Sequence, residues 1–207
     1  MGISDIQKID DYYKKQIAGL HKFRNLLVTY VDLPIEENSE KHDQISDFIL
    51  FTTLLNLDIA ICCKHLLINR VLGDEWEMNY FSRALAIHCS DALEKRKENG
   101  GSRFLNKLEN IIDLYIIDAD SSIKELAIRL ESHRLKIVSI HELYTTDLKY
   151  IRNNLFAHRD KTGIEQNNAI DKISPKDIGF IGEDIYEILY EAIGDVLKIQ
   201  EIIAPFN

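Results

Sequence analysis

The stretch from about Gln44 to Leu72 constrains this chain more than any other. Its centre, Phe48 to Ile68, is apolar almost all round. A helix with that pattern is surrounded by other helices. The run also contains Asn56, Asp58, Lys64 and His65. Those are too many polar groups for a membrane span, so it is read as a core helix. Only nine Gly and three Pro occur in 207 residues, which fits long helices with few tight turns. A chain of this length buries roughly 70% of its unfolded surface and needs no covalent staple. The expectation is an all-α, up-and-down helical bundle of about six helices in a single domain, 1–207. Gly100-Gly101 is the clearest break, so a sub-boundary would fall at 99–102.

In chain order, the first helix is expected from about Asp5 to Val31, with Ser4 and Gln7 forming a capping box. Pro34 and the polar residues Glu36 to Asp43 form a loop. After the core helix, Gly73 supplies a left-handed C-terminal position and Asp74 caps a third helix carrying Trp76, Phe81, Leu85, Cys89 and Leu93. That helix decays into a charged run, Glu94 to Glu98. Ser102 caps a short fourth helix with Phe104, Leu108, Ile111, Ile112 and Tyr115 buried. Asp118 to Ser121 is a turn, and Ser122 with Glu125 makes the next capping box. The fifth helix follows, with Ile123, Leu126, Leu130, Ile137, Ile140, Tyr144, Leu148, Ile151 and Leu155 at three- and four-residue steps. Thr162 to Ile173 is a polar loop. Ser174-Pro175-Lys176-Asp177 is a helix start, with an N-cap serine, proline at the first position and an acid in the first turn. The last helix runs to about Ile203.

The fifth helix ends in Ile151-Arg152-Asn153-Asn154-Leu155-Phe156-Ala157-His158-Arg159-Asp160-Lys161. The chain has a net charge of −9 and a pI near 5.3, which argues against broad, non-specific nucleic-acid binding. Yet residues 149–161 hold Lys149, Arg152, Arg159 and Lys161 against only Asp160. A local cation cluster with a histidine on an acidic protein points to a site for an anion.

Arg152-Asn153, four further residues, then His158 resembles the Arg-Asn-x4-His signature of the HEPN superfamily (higher eukaryotes and prokaryotes nucleotide-binding). Leu155-Phe156-Ala157-His158-Arg159-Asp160-Lys161 is most similar to members of the abortive-infection kind. The resemblance implies an all-helical domain acting as a metal-independent endoribonuclease in defence or a toxin-antitoxin system. It implies His158 as acid or base, Arg152 on the phosphoryl oxygens, and Asn153 orienting one of them or the phosphate. Such chemistry needs a base for the ribose 2′-OH, an acid for the leaving 5′-oxygen and a cation for the phosphoryl charge. Histidine titrates in the right range and the arginine fork matches phosphate oxygens. The resemblance also implies a homodimer with paired motifs across its two-fold axis. Some members carry a tyrosine two residues after the histidine that a partner enzyme modifies. Asp160 stands there, so silencing by that route is not expected.

Six residues on a straight helix turn roughly 600°, leaving Arg152 and His158 about 120° apart. Either the helix ends near Phe156 and His158 bends back, or two chains combine their motifs. Arg152 and Arg159 do share a face, and Arg159, Lys149 and Lys161 are candidate RNA and phosphate contacts. The competing reading is a helix end whose dipole favours cations, in an inactive bundle or a module that binds a nucleotide, RNA or protein. RNA and an antitoxin or regulatory protein are the expected further partners. Asp58 could hold Arg152, hydrogen-bond a neighbouring helix or face solvent.

His133 and His141 lie two turns apart, too far to chelate one metal, and no metal or cofactor is expected. The pairs Tyr12-Tyr13 and Tyr186-Tyr190 read as core or interface aromatics. Cys62, Cys63 and Cys89 have neither disulfide nor zinc spacing, and the first two read as buried small hydrophobes. With no apolar signal core at the start, a reducing cytoplasm is the expected compartment.

Overall fold

The structure, a computed structural model, describes residues 3–31, 39–93, 104–115, 120–155 and 174–203. Among these residues the chain is an all-α protein whose helices pack together, with no strand. The helices are α1 (Ile3–Val31), α2 (Ser39–Leu72), α3 (Glu75–Leu93), α4 (Phe104–Tyr115), α5 (Ser121–Leu155) and α6 (Pro175–Ile203). The expected features at 32–38, 94–103, 116–119 and 156–173 lie outside the described residues. Gly100-Gly101 and the whole polar loop Thr162 to Ile173 are among them, whereas the loop expected over Glu36 to Asp43 is already helical from Ser39.

Helix α2 is the centre of the molecule, touching α1, α3, α4 and α6. Its Phe48, Ile49, Ile59, Ala60 and Cys63 are fully buried. α1, α3 and α6 run antiparallel to α2, and α5 runs antiparallel to α6, as side-chain pairs show. Near the start of α1, Asp10 pairs with Lys64 near the end of α2 at 2.5 Å. His65 of α2 stacks on Phe81 of α3 at 4.6 Å between ring centroids, and further back along α2 Asp58 lies 3.8 Å from His88. Asn56 of α2 donates to the Tyr186 carbonyl of α6. One Arg129 nitrogen of α5 lies 2.9 Å from Asp195 near the end of α6. Phe48 and Phe104, 5.8 Å apart, join α4 to α2.

Local signals set most helix ends. Gly73 has φ 74°, the left-handed conformation glycine adopts without strain. Asp74 caps α3 by accepting from the Glu77 amide, and Ser174 caps α6 by accepting from the Asp177 amide. Pro175 is the first residue of α6. Two caps differ from expectation. The Asp120 carboxylate accepts from the Ser122 amide, so Asp120 caps α5 in place of Ser122. Ser4 lies inside α1, and Gln7 donates forward to Asp11 instead of back to the helix start. Trp76 of α3 is 86% exposed, whereas Leu85, Cys89 and Leu93 of the same helix are buried. It sits in the first turn of α3, on the same face as exposed Tyr80.

Candidate functional site at the α5–α6 end

Because α5 and α6 run antiparallel, the last turns of α5 lie beside the first turns of α6. A groove there is lined by Tyr144 and Asp147 of α5 and by Asp177, Phe180 and Asp184 of α6. Arg152 and Asn153 lie one to two turns beyond Asp147, within the helical span that ends at Leu155. The backbone therefore carries the start of the motif to this end of the bundle. Their side chains, and all of His158, Arg159 and Lys161, lie outside what the structure describes. Lys149 is exposed on α5.

Phe180 also lines a second, more apolar cavity of about 360 Å3. This one opens between the end of α2, the start of α3 and the start of α6. Leu66, Leu67 and Met78 form its apolar wall, with Arg70, Lys176, Glu75 and Glu183 as charged lining. Local sequence explains the shape. The Gly73 turn brings α3 back along α2, and Gly179 presents no side chain to the cavity. A Cβ there would stand 3.3 Å from Leu66 Cδ2. Phe180 is 52% exposed, and the Lys176 ammonium lies 5.7 Å from its ring centroid.

Burial, together with the charges of Glu187 and Asp184, pushes the Glu183 carboxyl above its usual range. Among the described residues no cation pairs with Glu183, and no carboxylate pairs with Arg70 or Lys176. A half-buried carboxyl without a counter-charge and two unpaired cations mark this cavity as a place for a polar ligand with a flat or apolar body.

Other sequence candidates fall elsewhere. The described partner of Asp58 is His88, midway along the bundle. Asp58 is exposed there, on the order of 18 Å along α2 from Arg70 at 1.5 Å per residue. His133 is buried in a charge network that its sequence position alone does not announce. Its Nδ1 lies 3.5 Å from Glu191 and its Nε2 3.4 Å from Asp195. Arg129 and Lys198 hold the same Asp195, and Lys136 stands 4.0 Å from Glu191. The network ties α5 to α6. The ring stands between the two carboxylates, each facing a different nitrogen, so the three groups do not converge on one point.

Cys62, Cys63 and Cys89 are free and buried, and burial pushes the Cys62 thiol up to about 12. They are small hydrophobes of the core. Tyr13 and Tyr186 are buried, while Tyr12 is half exposed. The Tyr186 hydroxyl donates to Gln16 of α1. These are packing and helix-tying roles.

The cavity is the feature that sequence reasoning missed. Its residues come from three segments, and only the Gly73-Asp74 turn and the Ser174 cap announced that helix ends would meet. Comparison with protein-family models, with curated proteins and with solved structures finds no match to this chain.

Proposed function

We propose that the chain is a HEPN-like, metal-independent endoribonuclease of the defence or toxin kind, acting as a homodimer. The observation that carries the reading is positional. The Arg152-Asn153 end of α5 lies at the bundle end that also holds Arg70 and Lys176, which pair with no carboxylate among the described residues, and a cavity large enough for part of a nucleotide. The all-α architecture with α2 at its centre is compatible with that reading.

In the proposed reaction the ribose 2′-OH loses its proton to a base and attacks the adjacent phosphorus. The O2′–P bond forms and the P–O5′ bond breaks. The leaving 5′-oxygen takes a proton from an acid, giving a 2′,3′-cyclic phosphate and a 5′-OH end. His158 is assigned one of the proton transfers. Arg152 is assigned the charge on the phosphoryl oxygens, with Asn153 orienting and Arg159, Lys149 and Lys161 holding the strand. The dimer supplies the second motif that one helix, by its own geometry, cannot place opposite the first.

The test is cleavage of an RNA panel in EDTA, with light scattering on the same sample. A dimer that cuts RNA but not DNA, leaving cyclic phosphate ends, is the expected result. His158→Ala should lower the rate by about 10²–10⁴-fold while leaving much of the RNA binding intact. Arg152→Ala should lower both. Equal cleavage by His158→Ala would remove the assignment. The second reading, a module that binds without cutting, is favoured by the cavity, which needs no catalytic group to hold a ligand. It expects no cleavage and a loss of affinity on Arg152→Ala or Arg159→Ala.

A further inference from the structure

The cavity between α2, α3 and α6 contains a specific combination of groups. Phe180 is half exposed, with the Lys176 ammonium over its ring. The carboxyl of Glu183 is half buried, with no counter-charge among the described residues. Arg70 closes the last turn of α2, and Lys176 stands in the first turn of α6. Two carboxylates and two cations leave the lining near neutral overall, so it does not select for net charge. It selects for a ligand that presents hydrogen-bond donors at one end and an anion at the other, with a flat body between.

A nucleotide has that form, and the bases differ in how they meet a carboxylate. Two carboxylate oxygens accept two parallel N–H bonds, as they do from arginine. Guanine alone presents two adjacent donors, N1–H and the N2 amino group, on one edge. Adenine and cytosine place an acceptor beside their amino group, which would face the second oxygen. Uracil has one N–H between two carbonyls. A desolvated carboxyl without a partner gains most from a ligand that satisfies both oxygens.

We propose that this cavity binds a guanine nucleotide of the RNA strand. The base lies against Phe180 with its donor edge on Glu183, and the phosphate lies on Arg70 and Lys176. The inference deepens the ribonuclease reading and rests on it for the identity of the strand. Stacking on an exposed aromatic tolerates every base, so the selectivity is Glu183's contribution. The cavity adjoins the α5–α6 groove, with Phe180 between them, so the bound base would fix the register of the strand against the Arg152 end of α5.

The experiment is calorimetric titration of the full chain with 5′-GMP, 5′-AMP, 5′-CMP, 5′-UMP and guanosine, repeated on His158→Ala. GMP should bind at least tenfold tighter than the other three nucleotides to both proteins. Glu183→Gln should remove that preference. It should also fold, because it deletes an uncompensated charge, and circular dichroism and urea unfolding check this. The double variant Arg70→Ala/Lys176→Ala should weaken GMP about tenfold and leave guanosine unchanged. Phe180→Ala should weaken all of them.

No GMP binding at millimolar concentration, equal binding of the four nucleotides, or a preference that survives Glu183→Gln each overturns the proposal. The two readings fail separately. Selective GMP binding without RNA cleavage keeps the pocket and removes the ribonuclease, whereas cleavage without GMP preference removes the pocket alone.

Discussion

Gly182 sits where α2, α3 and α6 meet. A Cβ there would stand 2.8 Å from Leu85 Cδ2 and 2.9 Å from Cys63 Sγ, both in the core. Glycine costs a helix roughly 1 kcal/mol relative to alanine, and here the close approach of three helices offsets it. Gly194, twelve residues on in the same helix, has nothing within 4 Å of where a Cβ would stand. The two alanine variants should therefore move in opposite directions. Gly182→Ala should lose about 1–2 kcal/mol net, because overpacking exceeds the gain in propensity. Gly194→Ala should gain roughly 0.5–1 kcal/mol. Urea unfolding of the pair, with unchanged slopes, is the measurement. Equal shifts of either sign would mean that α6 does not approach α2 and α3 this closely. The sequence could not distinguish these glycines, because both lie on one amphipathic helix and only the neighbours from other segments differ.

At the scale of elements, α4 is the shortest helix among the described residues, and a charged pair fixes it to α2. Lys107 is buried at that contact, paired with the more exposed Asp47, with its ammonium 5.4 Å from the Phe51 ring centroid. Burial lowers the affinity of the amine for its proton. The two partners are not equivalent. Asp47→Asn leaves an ammonium between helices without a counter-charge, and should cost roughly 1–3 kcal/mol. Lys107→Met keeps the aliphatic stem and removes the charge, and should fall within about 1 kcal/mol of wild type. Thermal unfolding of both variants ranks them, and the reverse order would show that the ammonium gains its stability from solvent instead of from Asp47. This pairing was not legible beforehand. Asp47 and Lys107 are sixty positions apart, and each reads as an ordinary surface charge on its own helix.

For the whole molecule, the three thiols report on global opening. Cys62, Cys63 and Cys89 lie on α2 and α3 at the centre of the bundle, and burial raises all three thiol pKa values. Alkylation requires the thiolate and access to it. In native protein at pH 8 the expected result is no labelling on the timescale of a free thiol. On addition of urea all three should label together, at the midpoint given by circular dichroism, if the bundle opens as one unit. Labelling of one cysteine well before that midpoint would divide the molecule into parts that open separately.

The sequence by itself determined the local facts. Periodicity and caps set where helices run, since 3.6-residue spacing, Asp74, Ser174-Pro175 and Gly73 act within one turn of chain. It misassigned the caps of α1 and α5 because several residues near each start can accept an amide, and geometry chooses among them. It also marked α2 as central, because only a helix covered on most sides remains apolar around its circumference. Tertiary structure decided what lies beside what. That Asp58 faces His88, that His133 stands between Glu191 and Asp195, and that Glu183 meets no counter-charge among the described residues depend on register between helices far apart in the chain. Register is a property of packing between faces, and a single helix carries no record of its neighbour's. The end of α5 could be named as a candidate anion site from its residue types alone, but its nearness to a cavity built by α2, α3 and α6 emerged only when those helices were packed.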